Sequence, residues 1–222
     1  MLTRAQLTEV SDTMRRMFPD AHCELTHRNP FELVVAVALS AQATDALVNK
    51  VTPGLFEAYP SVESMAAADV ADIEALIKRI GLYRNKAKNV KALSMQIVER
   101  HDGIVPSDRE SLEALPGVGR KTANVVLSVA FHEPAFAVDT HVERVSKRLG
   151  ICRWKDNVRQ VEDTLMKKII AATCLIGAIT LPALTQAREV TLTTQLKDYS
   201  GNDAYLAIYV TDANGQYQKT LW

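Results

Sequence analysis

Glycine and proline are scarce in this chain, with nine and eight copies among 222 residues, which argues against collagen-like repeats and low-complexity linkers. Cysteine is scarcer still, confined to Cys23, Cys152 and Cys174. Three scattered thiols make neither a disulfide framework nor a metal-ligand cluster. Charge of one sign is also missing: 26 Lys and Arg balance 26 Asp and Glu, against a generally cationic nucleic-acid binder. The apolar stretch Ile169–Leu184 is sixteen residues, short for a membrane-spanning helix. What remains is a globular composition, 47% hydrophobic and 23% charged, long enough for one large domain or two small ones with a real core.

Zero net charge hides an uneven distribution. Lys78, Arg79, Arg84, Lys86, Lys88 and Lys91 fall in one run without an acidic residue, followed by Arg120 and Lys121, then Arg144, Lys147 and Arg148. The acidic residues Glu57, Glu63, Asp69, Asp72 and Glu74 gather before it. A basic stripe on one face binds a phosphate backbone even in a neutral protein.

Residues 1–165 read as helices. Thr3 to Met17 is amphipathic, and Asn29 followed by Pro30 caps and opens the apolar stretch FELVVAVAL. Ser107 with Glu110, and Thr140 with Glu143, have the spacing of capping boxes. No strand-like alternation occurs before Met166, so the expectation is all-α.

The most informative segment is LPGVGRKTA at 115–123, with Asp139 eighteen positions after Lys121 in AFAVDTHVERV. Gly117 and Gly119 can take positive φ and let a backbone approach a ligand closely. The run from Lys121 to Phe131 has helical spacing, so the turn ends on a helix N-terminus whose N–H groups attract phosphate oxygens. A phosphate held there lies within a side-chain length of the Lys121 amine.

These residues resemble endonuclease III, the helix-hairpin-helix family of DNA glycosylases with an associated AP-lyase activity. LSAQATD at 39–45 and GLYRNKAKN at 81–89 add two further matching motifs in the family's order. The resemblance runs from about Thr3 to Leu165. It implies a truncated all-α helix-hairpin-helix glycosylase fold: a six-helix part over 20–135, and a second lobe from 1–19 plus 136–165. It implies double-stranded DNA with oxidised pyrimidines or abasic sites as substrate, bound by a monomer in the cytoplasm.

The damaged nucleotide must leave the duplex to be reached. Lys121 is then the expected nucleophile, giving an imine with the opened sugar and β-elimination of the 3′ phosphate. It needs desolvation, the positive helix end or Arg120 nearby to lose its proton. Asp139 is the expected partner, deprotonating Lys121 or stabilising positive charge on the sugar; with Thr140 in a capping box, Asp139 is free of that duty. The match assigns DNA contacts to Gln42, Leu82, Arg84, Lys86, Gly117, Val118, Gly119, Arg120 and Thr122, with Gln42 and Leu82 filling the space of the flipped base. Asp45 and His141 are expected pocket residues, whereas Trp154 is expected to pack. Relatives of this family end in a four-cysteine segment binding a 4Fe–4S cluster; no such ligand set exists here, so no cofactor is expected. Without that segment, residues 1–17 and 140–165 are expected to expose apolar faces unless 169–184 covers them, with activity reduced or absent.

From Met166 the character changes. MKKIIAATCLIGAITLPALTQA over 166–187 has the lysine, apolar, small-residue order of a secretory signal peptide. VTLTTQL, AYLAIYVT and QYQKTLW then alternate like strands between the turn clusters DYSGND and DANG. The expectation for 188–222 is an incomplete β-meander, the start of an exported protein fused in frame. Two other readings follow: a DNA-binding remnant without catalysis, or a product tethered to the membrane or met by the secretion machinery through 166–187.

Overall fold

The computed structural model describes the backbone of residues 1–174, 190–195, 205–211 and 217–220, with side chains through Lys168. The helices are α1 (Arg4–Met17), α2 (Pro30–Ser40), α3 (Asp45–Ala58), α4 (Val62–Ala67), α5 (Val70–Ile77), α6 (Tyr83–His101), α7 (Arg109–Glu113), α8 (Arg120–Ala130), α9 (Thr140–Arg148) and α10 (Val158–Cys174). Three strands follow: β1 (Val190–Gln195), β2 (Tyr205–Thr211) and β3 (Tyr217–Thr220).

Local chemistry accounts for the helix starts. Asn29 accepts a hydrogen bond from the Glu32 N–H while Pro30 occupies the first helical position of α2, where its missing N–H costs nothing. Thr3 and Gln6 close a reciprocal box on α1. The two helix starts read from sequence as capping boxes take their caps one residue away from the expected ones. Asp108, not Ser107, caps α7 by accepting from the Ser111 N–H at 2.8 Å. Asp139, not Thr140, caps α9. Aspartate is as good a cap as serine or threonine, and its charge also meets the positive helix end.

Glu24–Phe131 forms one compact unit, built from the seven helices α2–α8 rather than six. Its centre is α2, buried without interruption from Phe31 to Leu39. A helix apolar on every side must be enclosed, and α3, α6 and α8 pack against it. α6 turns Ala87, Val90, Leu93 and Ile97 inward at helical spacing.

The second unit takes Met1–Cys23 and, among the described residues after Phe131, 132–174 and the three strands. Phe136, Val138, Val142, Ile151, Cys152, Val161 and Leu165 form its core, with Leu2, Leu7, Met14, Leu149 and Met166 packed around them. The expected lack of a partner for 1–17 and 140–165 is thereby corrected: α1 and α9 both pack on α10. α10 does not stop at Leu165. Met166 joins the core, and the Lys168 ammonium donates to the Ile151 carbonyl at 2.7 Å, so the first residues of the signal-like segment belong to a packed helix. The rest of that segment, from residue 175, lies outside the described residues. No helix among the described residues is long and apolar enough to cross a membrane.

The strands form an antiparallel sheet in the order β1-β2-β3. Val190 pairs with Val210 and Gln195 with Tyr205, while Tyr209 pairs with Thr220 and Thr211 with Tyr217. They lie within the stretches whose alternation marks them as strands.

Candidate active site

The hairpin between α7 and α8 is held from below by apolar side chains. Leu115 and Val118 are buried, and the Val118 N–H donates to the Leu115 carbonyl at 3.0 Å. Val118 is thus a structural residue of the turn: neither its side chain nor its N–H is offered to DNA, contrary to expectation. Gly117 has φ +80°, and a Cβ there would meet the Cβ and Nδ2 of Asn89 on α6 at 2.9 Å. Both facts demand glycine. Gly119 does not share that geometry; its φ is −94°. A Cβ there would meet nothing within 4 Å, so neither backbone nor packing demands glycine at this position.

Gly119 is also the N-cap of α8 and has no side chain to occupy the helix end. The following residues stand at that end: Arg120 half-buried, Lys121 exposed and Thr122 half-buried. Arg120 reaches Glu113 at 3.5 Å, linking the start of α8 to the end of α7. An N-terminal helix dipole, two cations and a bare glycine backbone make an anion grip.

Two loops of the same unit present the residues expected to enter the duplex. Leu82 precedes α6, is 61% exposed and has φ 59°. Gln42 follows α2, is exposed and has φ 57°. Left-handed backbone is uncommon outside glycine and concentrates at functional positions. The loops adjoin, because a Cβ on Gly81 would touch the Gln42 carbonyl at 3.9 Å. Arg84 is exposed, with its guanidinium 5.6 Å from the Tyr83 ring centroid. Lys78, Arg79 and Lys88 are exposed as well, so much of the basic run faces solvent.

Lys86 breaks the pattern. It is 7% exposed, and its ammonium donates to the carbonyls of Leu39 and Ala41, the former at 2.9 Å. Burial pushes its pKa below the ordinary lysine value. Two of its three protons hold the end of α2, which corrects the expectation of a phosphate contact. Asp45, in the first turn of α3, is buried.

Asp139 belongs to the other unit. Its Oδ1 accepts from the N–H groups of His141 at 2.9 Å and Val142 at 2.8 Å. The carboxylate therefore serves as a cap after all, fixed in one orientation by two backbone donors. His141 is half-buried, with Nδ1 2.9 Å from the Arg144 guanidinium. Trp154 is 70% exposed between Arg153 and Lys155, not packed. Its neighbours in the chain are charged and the core closes without it.

The thiols do not fit an iron–sulfur cluster. A 4Fe–4S centre takes four thiolates, the sequence has three cysteines, and Cys152 sits in the apolar core with its pKa pushed up to about 11, chiefly by burial.

Residues 35–170 match the family described as HhH-GPD superfamily base excision DNA repair protein, the class to which the helix-hairpin-helix points. Endonuclease III of Bacillus subtilis is 63% identical over 169 residues, 76% of this chain and 77% of that protein. Endonuclease III of Escherichia coli K12 is 46% identical over 170 residues, 77% and 80% of the two chains. A solved structure of a trapped endonuclease III–DNA covalent intermediate superposes with a TM-score of 0.71 at 62% identity, covering 75% of this chain and 78% of that one. The chain belongs to this superfamily and, within it, to the endonuclease III family. By family it is a DNA-binding base-excision glycosylase with AP-lyase activity. Residues 187–222 match a separate family, described as a predicted periplasmic protein, DUF2271, which accords with a fusion.

Proposed function

We propose that the chain removes oxidised pyrimidines from double-stranded DNA and cuts 3′ of the abasic site, with Lys121 as nucleophile and Asp139 as its proton-handling partner. The observation that carries this reading is an exposed lysine at the second position of α8, directly after a glycine turn whose N-cap has no side chain. The Lys121 amine forms a bond to C1′ as the bond from C1′ to the base breaks and the base leaves with a proton. The sugar ring opens to an imine, loses its 2′ proton, and the C3′–O bond breaks to release the 3′ phosphate. Asp139 supplies a carboxylate that accepts a proton or balances positive charge on the sugar. Because Lys121 is exposed, water leaves its amine only when a duplex covers it.

Gln42 and Leu82 occupy the gap left by the flipped nucleotide, while Arg84, Gly117, Gly119, Arg120 and Thr122 engage the backbone around it. The protein acts as a cytoplasmic monomer without an iron–sulfur cluster.

Borohydride trapping on an abasic duplex tests the reading: a covalent complex with the wild-type chain and none with Lys121→Ala. Absence of a complex with the wild-type chain leaves a DNA-binding remnant. A second reading, export or membrane tethering through 166–187, is favoured by the match of 187–222 to a periplasmic family. Cell fractionation with a search for cleavage after Ala187 decides it.

A further inference from the structure

Lys86 lies on α6 one turn after Leu82, and Leu82 supplies the carbonyl that accepts the Lys86 N–H at 3.1 Å. From there its side chain crosses to the last turn of α2 and the residue beyond, binding the carbonyls of Leu39 and Ala41. Gln42 is the next residue. One lysine thus ties the helix that begins at one left-handed wedge residue to the backbone immediately before the other. Carbonyls at a helix C-terminus lack intrahelical donors and carry the negative end of the dipole, so an ammonium there meets an unmet need of α2. A neutral residue of the same length would fill the space without holding the turn.

We propose that Lys86 is a positioning residue for base flipping, clamping the 41–44 turn against α6 so that Gln42 and Leu82 project together. This rests on the proposed roles of those two residues. Neither left-handed conformation is cheap for a side chain with a Cβ, and a turn of this kind persists only where its surroundings over-determine it. Lys86 supplies two charge-assisted bonds for that purpose.

The full chain, Lys86→Met, Gln42→Ala and the double variant provide the test. Backbone carbon chemical shifts of residues 41–44 and 80–84 are read without DNA. Fluorescence of 2-aminopurine opposite a tetrahydrofuran abasic analogue is then read in a duplex. Lys86→Met is expected to move the Gln42 shifts away from left-handed values while those of Leu33 and Leu93 stay in place. The fluorescence rise should fall about tenfold, on the scale of one charge-assisted hydrogen bond, and the double variant should be no worse than Lys86→Met alone. Unchanged 41–44 shifts in Lys86→Met overturn the proposal, as does additive loss in the double variant. If the wild-type chain gives no fluorescence rise, the repair reading fails, and the carbon shifts still decide the role of Lys86. Should Lys86→Met not fold, the same readings on Lys86→Gln, which keeps donor protons without charge, settle the matter.

Discussion

Asp139 combines two tasks that single substitutions can separate. Its Oδ1 caps α9 through two N–H groups, while the proposed chemistry needs an ionisable carboxyl. Asparagine caps a helix as well as aspartate does. Asp139→Asn should therefore leave stability within about 0.5 kcal/mol yet slow base release by at least ~100-fold, seen in parallel melting curves and single-turnover assays. Asp139→Ala should lose the same activity and about 1 kcal/mol of stability besides. Equal stability losses in the two variants would count against the cap. Cys152 gives a second residue-scale expectation. Its folded pKa, about 11, stands above the ordinary 9.0, so the folded state favours the neutral thiol. That contribution is complete below pH 9.0 and disappears as pH rises through about 11. Denaturant midpoints of the α1–α9–α10 unit should fall across this window in the wild-type chain and fall less in Cys152→Ala.

At the level of elements, α6 is where the site is organised. Its N-terminus carries Leu82, its first turns carry Lys86, and Asn89 packs under the hairpin at Gly117. Gly117→Ala must tolerate both a left-handed backbone and a Cβ 2.9 Å from Asn89. The expected cost is about 1–3 kcal/mol, with weaker binding to an abasic duplex by titration; Gly119→Ala, with open space around it, should disturb folding far less. Such elements were largely legible in the sequence. Glycine, proline and asparagine announce turns and helix starts through local chemistry, so the hairpin, the Asn29–Pro30 start and the loop position of Leu82 could be read directly. Lys86, Val118 and Trp154 could not. A lysine in a basic run reads as a phosphate ligand until α2, forty-odd positions away in the chain, is seen to offer it two carbonyls. The choice between Asp139 and Thr140 as cap was equally hidden, since both are good caps and only the φ and ψ of the chain entering α9 decide.

For the molecule as a whole, zero net charge coexists with exposed Lys78, Arg79, Arg84, Lys88 and Lys121 in one unit. DNA affinity should accordingly fall steeply with salt, each neutralised phosphate adding about 0.9 to the slope of log affinity against log salt. A titration series from low to physiological salt checks this; a flat response would contradict a phosphate-gripping face. The α1–α9–α10 unit closes its own core through α10, where Val161 and Leu165 are fully buried. Leu165→Ala should cost about 2–5 kcal/mol, measured by urea denaturation.

Leu82 adds a consequence for evolution in the laboratory. It holds a left-handed backbone with most of its side chain in water, so the fold gains little from it and bears about 1 kcal/mol of torsional discomfort. Asparagine tolerates that conformation better. A screen for heat resistance alone should therefore select Leu82→Asn, a few degrees hardier, and with each such winner discard the side chain proposed to wedge the duplex open.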